Sequence, residues 1–365
     1  MLNTYVRFDS SSVPPQVLNS LVPSCVSLAH VAEHDYLLSL DPARFTHAHL
    51  VLGSNPNRFG ADLSPHLVTV IDFFSKAPKS NFITLNFGTS DFKRRHSEDL
   101  GVAMASLLMV DLFDIDWSTI CQIPENRKLS KKRPDFEGFN SKEERFLYEA
   151  KGTCRLETVI PTIEKAIGQV KNYPEPALRK IAIASYFCSN PRAFPSFSFF
   201  VDPELPDIVP PDKDHAQQLH LEKVLEFAGC KSSASSYLKY LAAKFSFERK
   251  IASEYPDIIA RYAPQSLGDS KIETALEEFK MSFEREIGSL EAVSEKNRRY
   301  QVQRRIVTIE DAKYECVAGI DSKIIAAISE DVEFEKIESV SDSEPDSAFS
   351  QFSDGTMFQL RRLRG

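Results

Sequence analysis

Apolar and polar positions alternate in short runs early in the chain, settle into helical spacing further on, and alternate again near the end. "NTYVRF" and "NFITLNF" carry the aromatic and β-branched residues of strands. Between them "SPHLVTVIDFFSK" offers Ser64 as an N-cap, Pro65 at the first helical position and helical spacing after it. Residues 1–90 therefore predict a small α/β unit, whose role the sequence does not reveal. Over 91–203 the pattern is sharper. "HSEDLGVAMASLLMVDLFD" predicts a helix capped by Ser97, and "WSTICQI" a short strand. "KRPDFEGFN" and "RFLYEAKGT" predict two strands joined around "NSKEE". "TVIPTIEKAIGQVKNY" predicts an amphipathic helix, and "RKIAIASYF" and "SFSFFVD" further strands. The order is helix, three strands, helix, strand.

Proline-rich "DPELPDIVPPDKD" marks a boundary. Residues 204–300 are mainly helical, the last helical run being "SKIETALEEFKMSFEREIGSLEAVSEK". Over 301–365 the chain predicts a strand at "YQVQRRIVTI" and an undecided segment at "ECVAGIDSKIIAAI". An acidic, serine-rich linker near 328–354 and a short basic tail follow. The fold class is α/β.

Composition narrows the options. With 42% hydrophobic and 26% charged residues the chain has the make-up of a globular protein. Neither a membrane-length apolar run nor a signal-like N-terminus is present, so a cytoplasmic protein without a membrane partner is expected. Six dispersed cysteines lack any CxxC pair, which argues against a zinc ribbon or an iron–sulfur cluster. A net charge of −8 is wrong for a nonspecific nucleic-acid coat. Any nucleic-acid site must be a local basic groove, or a protein partner must help through the helical or N-terminal region.

The strand "FLYEAKGT" raises a question of charge. Residues two apart on a strand share a face, so Glu149 and Lys151 point the same way among apolar neighbours. If "RPDF" pairs with this strand as a hairpin, Asp135 comes beside Glu149. Two adjacent carboxylates repel unless a cation lies between them. A divalent metal answers that need, and oxygen ligands suit Mg2+ or Mn2+. Asp135 and Glu149 are thus candidate metal ligands, with the backbone carbonyl of Ala150 as a further one. Lys151 is placed to orient or deprotonate a water. The bland alternative is a strand end at Asp135 and a solvated face at Glu149 and Lys151.

Pro134-Asp135 followed by Glu149-Ala150-Lys151 resembles the PD-(D/E)xK nuclease superfamily, whose restriction-endonuclease-like core has the element order read above. Gln169 and Tyr173 in "QVKNY" are similar to the QxxxY motif of its RecB and lambda-exonuclease branch, and spacing of four puts both on one helix face. The resemblance covers roughly residues 94–190. It implies catalytic roles for Asp135, Glu149 and Lys151, and supporting roles for Gln169 and Tyr173. It also implies a metal-site glutamate on the first core helix, which Glu98 matches better than Asp99. An acid in a helix's first turn is equally expected from the helix dipole.

Lys128, Lys131, Lys132 and Arg133 precede Asp135 and are candidate phosphate contacts. Basic runs recur at 92–96 and 295–305, where Tyr300 offers a ring for stacking on a base. His47 and His49 fall on one strand face, with no third ligand at suitable spacing. The expectation is a Mg2+- or Mn2+-dependent nuclease, most naturally of DNA, with prokaryotic antiviral defence or repair suggested by analogy. The alternatives are RNA cleavage and a non-catalytic subunit that keeps the nuclease fold.

Overall fold

The computed structural model describes residues 2–8, 35–53, 67, 83, 85, 89–123, 134–173, 177–188, 196–201, 213–247, 269–309, 311–330, 337–344 and 346–363. Two sheets and seven α-helices make up these residues, a mixed α/β protein. Among them no helix is long and apolar enough to cross a membrane. The expected helix at 64–76 apart from Leu67, most of "NFITLNF" and the basic residues Lys128, Lys131, Lys132 and Arg133 fall outside this description.

The first sheet is built from β1 (Leu2–Phe8), β2 (Asp35–Leu40), β3 (Cys121–Gln122), β4 (Phe136–Phe139), β5 (Arg145–Thr153), β6 (Arg179–Tyr186) and β7 (Phe197–Val201). Three helices accompany it: α1 (Pro42–Leu52), α2 (Ser90–Phe113) and α3 (Val159–Lys171). From α2 to β6 the order is helix, three strands, helix, strand. The spatial order is β2-β1-β7-β6-β5-β4-β3. β1 and β2, from the segment expected to form an N-terminal unit, thus extend this sheet. β4 and β5 form an antiparallel hairpin, whereas β5 and β6 run parallel with α3 as the crossover. Asn140 shapes the hairpin turn: its Oδ1 accepts from the N–H groups of Lys142 (3.0 Å) and Glu144 (2.9 Å).

Alternation along β5 and β6 decides the layers. Tyr148, Ala150, Ile181 and Ile183 face one way and pack with α2 side chains such as Leu100, Met104 and Leu107. Ala182 and Ala184 face the other way, beside Glu149 and Lys151, and pack under Ile163, Ala166 and Val170 of α3. α2 starts earlier than expected, at Ser90, because Thr89 caps it with its Oγ1 accepting from Phe92 N (3.3 Å). Ser97 lies inside the helix and donates to the carbonyl of Arg94 (2.7 Å). The run 92–96 continues the helix because Phe92 and His96 stack together (5.3 Å) while Arg94 and Arg95 stay exposed.

Helices α4 (Lys213–Phe227), α5 (Lys231–Phe247) and α6 (Asp269–Gly288) follow. The second sheet comprises β8 (Glu291–Glu295), β9 (Arg298–Ile309), β10 (Ala312–Asp321), β11 (Val340–Glu344), β12 (Ser347–Gln351) and β13 (Thr356–Leu363), with α7 (Ser322–Glu330) after β10. All its strands are antiparallel, in the order β11-β12-β13-β10-β9-β8. Three expectations are corrected here. The helix ends at Gly288 and "EAVSE" is a strand. The acidic linker holds β11 and β12, where buried Ala348, Phe349, Ser350 and Gln351 secure β12 beneath the acids. The basic tail is β13, an interior strand.

One apolar cluster joins α1 and α2 to Val307, Tyr314, Cys316, Phe352 and Phe358 of the second sheet and its turns. Buried Asp354 pins this junction: it accepts from Trp117 Nε1 (3.0 Å) and pairs with His220 Nε2 on α4 (2.8 Å). His220 Nδ1 in turn contacts the Ile120 carbonyl (2.5 Å).

Candidate active site

Three ionisable groups meet where β4 begins beside β5. The ladder's last pair is Phe136 with Tyr148, so one further step sets Asp135 opposite Glu149. There the N–H of Ala150 donates to Asp135 Oδ2 (3.3 Å) rather than to a strand carbonyl. A strand residue's N–H and C=O leave on the same edge. The Ala150 carbonyl therefore opens toward Asp135 too. Ala150 itself is buried on the α2 side, next to Tyr148, whose hydroxyl shares a 2.8 Å hydrogen bond with Ser106 of α2.

Lys151 Nζ lies 3.2 Å from Asp135 Oδ2 and also pairs with Glu149 Oε1. The Glu149 side chain is fully buried, and its Oε2 has no hydrogen-bond partner among the described residues. Burial, and then the charge of Asp135, push Glu149 up to about 8 against the pull of Lys151. For Lys151, burial acts downward, but Asp135 and Glu149 together outweigh it and hold the ammonium above its ordinary range. A buried carboxylate oxygen lacking a donor, a second carboxylate beside it and an open carbonyl form a hard oxygen set of the kind Mg2+ or Mn2+ takes. In the structure Lys151 is the cation that bridges the two acids.

Glu98 does not join them. Among the described residues no group of three His, Cys, Asp or Glu side chains is gathered for a metal. Glu98 is exposed and leans back to Arg94 on its own helix (3.8 Å). The helix nonetheless runs close. A Cβ on Gly101 would strike the backbone of Lys151 and Gly152, and one on Gly152 would strike the carbonyl of Ser97. This glycine contact lets the first half of α2, with exposed Arg94 and Arg95, cross the end of β5 that carries the site.

Gln169 and Tyr173 do not share a helix face. α3 ends at Lys171, with Asn172 as its C-cap. Tyr173 precedes Pro174, and a residue before proline is pushed out of helical geometry. Tyr173 is instead buried with Ile123, Leu147 and Ala177. Leu147 is two residues before Glu149, so Tyr173 covers the same face of β5, one pleat away from the acids. Gln169 is half-buried in the last turn of α3.

Other candidates resolve differently. His47 and His49 lie on helix α1, not on a strand, so they point to different sides. His47 Nδ1 contacts Ser350 Oγ (3.1 Å) and its ring stacks on Phe352 (4.4 Å). Burial lowers it to about 3, so it stays neutral. Tyr300 is fully buried and donates to Gln351 Oε1, which leaves no ring to stack on a base. A pair not anticipated is Glu137 with Arg145. Glu137 is buried, accepts from Arg145 Nε (2.8 Å) and from Cys121 Sγ (3.3 Å), and faces the same side as Leu147. Its signal was available: Glu137 alternates with Phe136 in "DFEGF" as Glu149 does with Tyr148.

No protein family, curated protein or solved structure matches this chain.

Proposed function

We propose that the protein is a divalent-metal-dependent nuclease with a restriction-endonuclease-like core, acting on DNA. The observation that carries this reading is the meeting of Asp135, Glu149 and Lys151 at the open end of the β4–β5 hairpin, with one Glu149 oxygen buried and undonated. The element order from α2 to β6 supports the same reading.

Asp135, Glu149 and the Ala150 carbonyl would hold Mg2+ or Mn2+. Such an ion polarises a phosphate oxygen and steadies the leaving oxygen. The chain's own part follows from the geometry. Glu149, raised by burial, would ionise with a divalent cation beside it. Lys151, held above its ordinary range by the two acids, is an ammonium at the rim of the site. It orients the attacking water and offsets negative charge on the phosphorane. Arg94 and Arg95, exposed on the helix that crosses this end of β5, would meet a strand's phosphates.

A second reading has its own observation. Lys151 already closes an ion triad with both acids, which a non-catalytic subunit would keep for structure alone. Incubating wild type, Asp135→Ala and Lys151→Ala with plasmid, linear duplex, single-stranded DNA and RNA separates the two. Each is run with Mg2+, Mn2+ or chelator. Metal-dependent cutting of DNA, lost in both variants, is expected. Wild type that cuts nothing supports the subunit. Cutting of RNA alone moves the substrate. Cutting retained by either variant removes these residues from the chemistry.

A further inference from the structure

The second sheet curls back on itself. Lys296, in the β8–β9 turn at one edge, pairs with Asp342 on β11 at the other (3.6 Å). Gln359 of β13 reaches Glu295 of β8 (3.5 Å) across the strands between them. The concave face is filled by Tyr300, Val302, Val317, Phe349 and Met357. At one end of the curl, where α7 leaves β10, lies a cavity of 760 Å³. Ligand cavities run to roughly 300–1,000 Å³ and favour the mouths of β-barrels.

Its lining is basic on a chain of net charge −8. Lys296, Arg298, Arg299 and Lys323 face it, against Asp321 and Glu338. Asp321 is already engaged. It is buried, its Oδ1 accepts from Lys323 N (2.8 Å), and its Oδ2 lies 3.4 Å from Arg298 Nη1. Arg299 and Lys323 are exposed, with no carboxylate partner among the described residues. The turn that delivers Lys296 is strained: Lys296 and Asn297 take φ of 49° and 64°. A left-handed conformation costs a lysine about 1 kcal/mol, and a glycine would sit there freely. Exposed Val340, with Ala326, gives the cavity an apolar wall. The run 295–305, singled out in the sequence for its arginines, thus divides: Tyr300 goes to the core, and Arg298 and Arg299 to the cavity.

We propose that this cavity binds a nucleoside phosphate, distinct from the Asp135–Glu149 site. Arg299 and Lys323 hold the phosphate, and the base or sugar rests on Val340 and Ala326. Phosphate alone would not fill the space, and the cations exclude a neutral apolar ligand. The ligand is either a free nucleotide or a nucleotide of a nucleic-acid strand.

Calorimetric titration of the full chain in chelator, which stops metal-dependent cutting, tests this. The probes are the four nucleoside monophosphates, pyrophosphate and a single-stranded oligonucleotide. The proteins are wild type, Arg299→Glu, Lys323→Glu and Asp135→Ala, with melting curves to show that the exposed substitutions leave the fold intact. Wild type and Asp135→Ala bind alike, each charge reversal weakens binding about tenfold, and pyrophosphate competes. Binding of monophosphates assigns a free ligand; binding of the oligonucleotide alone assigns a strand. Absence of binding by every probe, or equal affinity in wild type and both reversals, overturns the proposal. Because Asp135→Ala is carried alongside, this result stands or falls separately from the nuclease reading.

Discussion

Glu149→Gln is expected to make the metal-free protein more stable as pH rises. The wild-type carboxyl is raised from an ordinary 4.5 to about 8, first by burial and then by Asp135, with Lys151 opposing. Across that window the folded chain keeps a proton that the unfolded chain releases. Unfolding then sheds protons, so wild-type stability falls with increasing pH, by up to about 1.4 kcal/mol per pH unit. Glutamine has nearly the same volume and nothing to ionise. The variant should match wild type near pH 5 and exceed it by roughly 1–3 kcal/mol at pH 8. Urea unfolding in chelator from pH 5 to 8.5 measures the difference directly. The same variant should lose metal-dependent cutting, as expected where a functional site holds a charge against its surroundings. Parallel pH curves for the two proteins, or a less stable variant at pH 8, would refute the reasoning.

Other perturbations test the frame around the site. Gly152→Ala forces a Cβ onto the Ser97 carbonyl; melting should show a loss of about 1–3 kcal/mol, and cutting should fall because α2 is displaced from the end of β5. Asp354→Ala strips the acceptor from His220, Trp117 and Thr356; denaturant unfolding should show a loss of about 3–5 kcal/mol, and a loss below 1 would contradict a buried carboxylate that ties three donors together at the junction. Tyr148→Phe leaves the Ser106 hydroxyl without its partner and should cost about 1–2 kcal/mol; adding Ser106→Ala should recover part of it, since the two form one hydrogen bond.

Much of the core was legible because its strands read clearly. "RFLYEAKGT" is a short aromatic, apolar run, and β5 spans it, buried from Phe146 through Ala150; the hairpin before it follows from "NSKEE". That register is also what brings Asp135 beside Glu149. Helix ends were harder. Thr89, not Ser97, caps α2, since a run of charged residues is compatible with an exposed helix surface as well as with a loop. Pro174 signalled that Tyr173 is not helical, a local steric rule that spacing by four overlooks. The second sheet was the least legible. Asp342 and Glu344 made β11 look like a solvated linker, yet their exposure on alternate positions is what an edge strand shows. Which carboxylates converge was readable from pairing on one hairpin. That Glu98 turns to Arg94 depends on a rotamer, and that Lys296 meets Asp342 depends on the curl of a sheet; neither is written in local spacing.

The claim on which the account rests is that Asp135 and Glu149 together hold a divalent cation. Titrating Mn2+ into wild type and Asp135→Asn at pH 8, read by the paramagnetic signal of free Mn2+, tests it most directly. A single bound equivalent in wild type, abolished by Asp135→Asn, is expected. Binding unchanged by the substitution, or no binding by wild type, would contradict it.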